Sequence, residues 1–300
     1  LGLIPPDLPL PKAVGNWDTV EDKAWEAACM EVYAAMVDRM DQGIGRIVQE
    51  LEHQGVLDNT LIFYMQDNGG CAEAMGRSGN KEHPNIVRPD IPTLSPMKPG
   101  DFAKGGSVPA QTRDGYPVRM GRNAFPGPAD TYVAYGENWA NVSNTPLREY
   151  KHWVHEGGIS SPLVVHWPAG IQTPGSWCHQ PGHLIDIAAT CVDISKSEYP
   201  RDAVPLEGKS LRPTFANQPI EREAIYWEHE GNRAVRQGDW KLVAKHNKDW
   251  ELYDLSKDRI EANDLSKVQP ETVARMARMY EAYAQRTNVA PWPLPKNTED

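Results

Sequence analysis

The sequence predicts an α/β protein: a mostly parallel sheet flanked by helices, followed by a small C-terminal antiparallel sheet plus helix. A long amphipathic helical segment over 19–54 leads into an unbroken β-favouring run, Thr60-Leu61-Ile62-Phe63-Tyr64-Met65. Such a run marks a strand covered on both faces, as in parallel sheets. Pro162-Leu163-Val164-Val165-His166-Trp167 repeats the pattern. Beyond about residue 215, short strand-like runs separated by Gly and Asn turns suggest an antiparallel meander.

Taken in order, residues 1–18 carry Pro5, Pro6, Pro9 and Pro11 and read as extended or loop structure. Thr19 or Asp18 can cap the first helix, with Glu21 and Asp22 in its first turn. Val32, Met36, Met40, Ile44, Ile47, Val48 and Leu51 form its apolar stripe. Gly43 and Gly45 each weaken a helix by roughly 1 kcal/mol, which points to a packing reason or a bend, and Gly55 ends it. Between the two buried strands, 71–150 is rich in Gly and Pro, and a loop of that length implies function. His183 to Ile194 reads as a buried helix. Strands are expected at Ala224-Ile225-Tyr226-Trp227, Arg233-Ala234-Val235-Arg236, Trp240-Lys241-Leu242-Val243 and Glu251-Leu252-Tyr253-Asp254. An amphipathic helix over 270–286 and a Pro-rich tail from Pro291 complete the chain. The predicted division is 1–215, with the insertion 71–150, and 216–300.

Composition bounds the function. With 300 residues, 40% hydrophobic and 24% charged, the chain is an ordinary globular protein with enough length for a real core. A net charge of −10 argues against nucleic acid or an anionic membrane as partner, though a local anion site remains compatible with it. Cys29, Cys71, Cys178 and Cys191 include no Cys-x-x-Cys pair, which leaves out a zinc knuckle or redox motif and keeps one or two disulfides open. No apolar run approaches the roughly 18 residues of a membrane span. The first residues contain neither an initiator Met nor a basic n-region, and the chain is expected to be a fragment.

Two constellations could carry chemistry. Gln66-Asp67-Asn68-Gly69-Gly70 follows the first buried strand, where open α/β sheets place ligands. Asp67 and Asn68 offer oxygens suited to Ca²⁺ or Mg²⁺. Alone, the motif reads as a turn before it reads as a metal site, and two ligands fall short of the about six to eight oxygens calcium takes. Lys151-His152-Trp153-Val154-His155-Glu156-Gly157-Gly158 enters the second strand. Lys151 could place a compact charge on a sulfate or phosphate oxygen. His152 and His155 invite a zinc reading, but no third ligand stands nearby in sequence. Lys81, His83, Arg113, Arg119 and Arg122 could line an anion pocket, although scattered loop cations are usually solvated. Trp139, Trp153 and Trp167 read as packing residues, and Glu228, His229 and Glu230 as a surface cluster.

In this order the motifs resemble the sulfatase family of the alkaline-phosphatase superfamily, over nearly the whole chain. The resemblance rests on 30–36 running into 38–45, then Asn59-Thr60-Leu61-Ile62, Asp67-Asn68-Gly69-Gly70, and Lys151 five residues before Glu156-Gly157-Gly158. Ser161-Pro162-Leu163, Trp167-Pro168-Ala169-Gly170, Gly182-His183-Leu184-Ile185-Asp186 and Leu206-Glu207-Gly208-Lys209-Ser210-Leu211 follow. Gly238-Asp239-Trp240-Lys241-Leu242 and Glu251-Leu252-Tyr253-Asp254-Leu255 match the family's terminal domain. The resemblance implies that Asp67 and Asn68 ligate calcium, beside two aspartates from an earlier strand, and that Lys151 contacts the sulfate. It also implies a formylglycine nucleophile made within a Cys/Ser-x-Pro-x-Arg signature, a sulfated small molecule or saccharide as substrate, and a periplasmic or secreted location.

No Cys/Ser-x-Pro-x-Arg occurs in these residues, so the nucleophile is expected upstream and the 300 residues alone are expected to be inactive. Two other readings stand beside the sulfatase. A phosphoesterase or phosphonate hydrolase of the same superfamily is disfavoured because zinc-dependent members usually have Asp-His where Asp67-Asn68 stands. A non-catalytic sulfatase-like binding module is the third.

Overall fold

A computed structural model of the chain describes residues 10–101 and 108–294, so the first half of the predicted 1–18 loop and the end of the Pro-rich tail lie outside the described residues. The backbone packs as two compact units, Leu1–Gly45 with Gly70–Pro146 and Arg46–Gly69 with Leu147–Asp300. This division runs across the 1–215 and 216–300 boundary read from composition. The described helices are α1 (Lys23–His53), α2 (Glu137–Asn144), α3 (Glu156–Ile159), α4 (Ile185–Ser195) and α5 (Pro270–Arg286). The strands are β1 (Ile62–Met65), β2 (Leu163–His166), β3 (Ile225–His229), β4 (Asn232–Gln237), β5 (Trp240–Ala244) and β6 (Glu251–Asp254).

Helix α1 starts later than Thr19. Trp17–Thr19 forms a separate 3₁₀ turn capped by the Asn16 side chain, and Asp22 Oδ1 then accepts from Trp25 N at 3.0 Å. The capping role therefore passes to Asp22. At the other end Gly55 lies at φ +69, with Val56 N bonded to Leu51 O and Gly55 N to Glu52 O. That is the Schellman arrangement, which needs a residue free to adopt the left-handed region. The predicted stripe is not covered: Met36 is 65% and Ile47 62% exposed, and burial is confined to Trp25, Glu26, Ala28 and Cys29. Gly43 and Gly45 face open space, so no packing contact requires them.

In the first unit, the described residues of 71–101 and 108–146 pack into the unit with little regular structure beyond α2. Its polar core is ionic. Arg119, 3% exposed, donates through Nε to Asp130 Oδ2 at 2.8 Å, and Arg77 bonds Glu26 and the carbonyls of Ala134 and Tyr135. The Arg77 and Arg122 guanidinium groups lie 4.8 and 4.1 Å from the buried Trp25 ring, a cation–π arrangement.

In the second unit, β1 and β2 pair antiparallel in the register Ile62↔His166 to Met65↔Leu163. The sequence reading placed both in a parallel sheet covered on both faces. Apolarity reports burial and not direction, and here β1 is half-buried while Leu163 and Val164 are exposed. The meander is legible strand for strand: β3-β4-β5-β6, all antiparallel. Two-residue turns connect its first three strands. Glu230 and Gly231 both take positive φ (51° and 79°), as a type I′ turn requires, and Gly238 does so at the start of the next. All four cysteines are free, which closes the disulfide option.

Alternation along the strands sends Val235, Leu242 and Leu252 to one face, against Met276 and Tyr280 of α5. Ala234, Val243 and Tyr253 go to the other, against Val154. Lys241, two residues from Val243, projects to this second face. It is fully buried, with Nζ 3.0 Å from Glu156 Oε1 and 2.8 Å from Glu261 Oε1. Arg259 reaches Glu156 Oε2 at 3.1 Å, and Glu156 N donates to Glu261 Oε2 at 2.8 Å. Burial alone would raise the Glu156 carboxyl, but the Lys241 and Arg259 charges bring it net below its ordinary range.

Glu251 and Tyr253 share that face. Glu251 Oε2 meets Arg148 Nη1 at 2.9 Å, His155 Nε2 at 3.3 Å and the Tyr253 hydroxyl at 2.5 Å. Burial pushes Glu251 up, but these bonds and the Arg148 charge outweigh it and hold the carboxyl at about 2. Asp186, also fully buried, organises α4: it accepts from His183 N and Lys209 N at 2.8 Å each and from Arg222 at 2.6 Å.

Replacing Lys241 by Met removes the cation shared by two buried carboxylates, leaving Glu156 with only the partly exposed Arg259. The expected cost is about 3–5 kcal/mol, read as a lower urea midpoint, with partial recovery when Glu156→Gln and Glu261→Gln are added. Glu251 binds its proton at higher pH unfolded than folded. Its stabilisation is therefore full above its ordinary value of 4.5 and is lost as pH falls towards about 2. Thermal melts across that window should show this acid limb, and Glu251→Gln should flatten it.

Candidate active site

The two motifs singled out in the sequence meet through the backbone. β1 ends at Met65 where β2 begins at Leu163, so the bend after β1 lies beside the segment entering β2. Gly69 N donates to Gly158 O at 2.9 Å. One main-chain bond thus joins Asp-Asn-Gly-Gly to Glu-Gly-Gly at a strand's carboxyl end. Asp67 is exposed there and Asn68 half-buried.

The glycines of Glu156-Gly157-Gly158 have a steric reason. A Cβ on Gly157 would stand 2.3 Å from Glu149 O, and one on Gly158 only 2.0 Å from Trp153 O. Both are contacts with backbone, which cannot give way as a side chain could. The absence of side chains lets the segment 148–153 fold directly over α3, and Gly157 N donates to Arg148 O at 2.7 Å. That segment carries Lys151, half-buried in a turn.

The turn is anchored on both sides. Arg148 and His155 share Glu251. Lys245 Nζ bonds Glu149 Oε1 at 2.6 Å and lies 4.0 Å over the Trp153 ring. Within it, Glu149 and His152 hold positive φ, 69° and 91°. Non-glycine residues rarely adopt such angles, and surrounding contacts must hold them there.

The other candidates separate by role. His83 is buried, with Nδ1 3.2 Å from Val118 O, and Arg119 is locked to Asp130. Arg122 pairs with Glu26, whereas Lys81 and Arg113 are exposed loop residues. Trp139 donates to Glu26 O, and Trp167 packs edge-on against Phe215, so the packing reading of these indoles holds. His155 is fully buried against Glu251 while His152 faces Glu230, so the His-x-x-His spacing makes no shared site. Glu228 closes its hairpin by accepting from Gly231 N at 2.8 Å.

Sequence reasoning missed Lys241, Glu251, Arg148, Arg259 and Glu261 as the frame beneath the turn. A signal existed for Lys241: it occupies an inward position in the otherwise apolar run Trp240-Lys241-Leu242-Val243. Its partners lie 85 residues away on one side and 20 on the other, and no periodicity links them. For a hard cation, Asp67 and Asn68 fit in donor chemistry and fall short in number. Among the described residues, no group of three His, Cys, Asp or Glu side chains close enough to share an ion includes Asp67.

Comparison with known proteins places the chain in a family. Residues 9–197 match the sulfatase family model, and residues 149–286 match that of the N-sulphoglucosamine sulphohydrolase C-terminal region. An uncharacterized sulfatase of Schizosaccharomyces pombe is 32% identical over 98% of this chain and 51% of its own length. An arylsulfatase of Klebsiella aerogenes is 28% identical over 70% of this chain and 41% of its own. The chain therefore spans about half the length of these relatives. Among solved structures, Ps i-CgsB in complex with k-i-k-neocarrahexaose superposes with a TM-score of 0.57 at 22% identity, covering 84% of this chain and 42% of that one. The PsFucS1 sulfatase from Pseudoalteromonas sp. gives 0.51 at 17% identity, covering 84% and 42%. These likenesses bear out the α/β sulfatase-like fold, and with family-model coverage of well over half its residues, the chain belongs to the sulfatase family.

Proposed function

We propose that this chain forms the sulfate-holding and part of the metal-holding side of a sulfuric ester hydrolase acting on an aryl sulfate or a sulfated saccharide. The observation that carries the reading is the Gly69–Gly158 backbone bond, which brings the Asp67-Asn68 bend beside the segment bearing Lys151. The arylsulfatase relative and the saccharide-bound neighbour support the substrate class.

Lys151 would bind and orient the sulfate, offering a compact charge with three donors. As the ester bond breaks, negative charge grows on the leaving oxygen, and an ammonium already in position stabilises it without reorganisation. Asp67 and Asn68 would supply two oxygens to a calcium ion, with Mg²⁺ as the second choice. When bound, that cation supplies charge that polarises the sulfuryl oxygens. The nucleophile, a formylglycine, would come from a segment outside these residues, which contain no Cys/Ser-x-Pro-x-Arg.

The test compares 4-nitrophenyl sulfate with 4-nitrophenyl phosphate, using the longer protein that carries the formylglycine. The sulfate ester should be preferred, and a chelator should abolish turnover. Lys151→Ala should lower kcat/KM by about 10²–10³, the range for loss of one transition-state charge contact, without changing the melting temperature. A preference for phosphate, or an undiminished Lys151→Ala enzyme, would refute the proposal. The 300 residues alone should not turn over either ester.

A further inference from the structure

We infer that His152, His229 and Glu230 form a binding site for a borderline divalent cation of the zinc class. One ligand atom from each lies within 4.8 Å of the other two. His152 Nδ1 is 3.3 Å from Glu230 Oε2, and the His152 and His229 rings meet edge-on with centroids 5.1 Å apart. The sequence suggested zinc at His152 with His155 and offered no third ligand. The fold turns His155 inwards and gives His152 two partners nearly eighty residues on, from the β3–β4 hairpin.

The backbone that presents these side chains is tightly specified. His229 is the last residue of β3, and Glu230 takes the first left-handed position of the turn, at φ +51. Gly231 follows at φ +79, a left-handed angle that favours glycine, with the His246 ring packed close against it. Asn232, 1% exposed, donates from Nδ2 to His229 O at 2.8 Å and to His152 O at 3.4 Å. One buried amide therefore fixes the main chain behind both histidines. Since Glu228 closes the turn, the Glu230 carboxylate remains directed at His152.

Donor chemistry selects the ion. Two imidazoles and a carboxylate form a set typical of zinc sites that keep a fourth, open position, whereas calcium and magnesium prefer oxygen alone. Tetrahedral coordination at about 2.0–2.1 Å brings ligand atoms to about 3.3–3.5 Å of one another. The exposed His229 and half-exposed Glu230 can close that distance by side-chain rotation. Without a cation, the cluster is a partly exposed His–Glu pair of the kind that contributes little. The site does not depend on the sulfatase reading, and its donors are distinct from Asp67 and Asn68. His152 follows Lys151 directly, so an ion held there would also brace the turn at φ +91 that carries the lysine.

Co²⁺ is the probe, added to the chelator-stripped full chain in the presence of excess Ca²⁺. The expected result is one equivalent with the visible bands of nitrogen-ligated, four-coordinate cobalt, displaced by Zn²⁺. His229→Ala, His229→Gln and Glu230→Gln should each weaken binding at least about tenfold while circular dichroism stays unchanged. Cys178→Ser, which removes an exposed thiol, should bind as the parent does. Absence of those bands, or equal affinity in the parent and the His229 variants, would overturn the inference.

Discussion

A buried ammonium flanked by two carboxylates is the constraint on which the second unit is organised. Lys241 leaves β5 on the face where Glu156 and Glu261 converge, and none of the three is more than 2% exposed. A lone charge in such a place would be prohibitively costly. A paired one is tolerated only if its geometry and remaining hydrogen bonds are satisfied. Those demands tie β5 to the start of α3 and to the 258–261 turn at once. Arg259 balances the second carboxylate charge from the partly exposed side.

From that constraint the site follows in steps. Glu156 is held, so the glycines after it are held, and they accept the 148–153 segment across them. Glu251 then secures that segment at Arg148 and at His155, while Lys245 secures Glu149 between them. Lys151 consequently sits on a turn with positive φ angles that a mobile loop would relax. On the other side, Gly158 passes the same rigidity to the bend after β1 through Gly69. The charge proposed to stabilise a transition state would gain from such support, because it would then need no reorganisation as charge develops.

Legibility in the sequence tracked the range of the interaction. The meander and α5 were read almost residue for residue, since period-2 alternation, tight turns and a 3.6-residue stripe are local signals. Lys151, Asp67 and Asn68 are proposed from a pattern of motifs rather than from their chemistry, and the structure adds only that the two motifs share a main-chain bond. Strand direction was not legible: an apolar run reports burial, and β1 and β2 turned out antiparallel partners. The start of α1 was misplaced because Asn16, Asp18 and Asp22 all offer capping oxygens within a few residues, and only the fold assigns them. The Lys241–Glu156 and Arg148–Glu251 ion pairs, and the pairing of His152 with His229 and Glu230, join segments nearly eighty or more residues apart. Local patterning carries no trace of such pairings.

Under the proposed function, the Asp67-Asn68 bend and the Lys151 turn are two walls of one anion-binding site. A crystal structure of the longer protein with calcium and a slowly hydrolysed sulfate ester tests it most directly. The expected result is a metal ion on the Asp67 and Asn68 oxygens and a sulfuryl oxygen on Lys151 Nζ. A sulfate bound away from Lys151, or a metal that leaves Asp67 and Asn68 free, would contradict it.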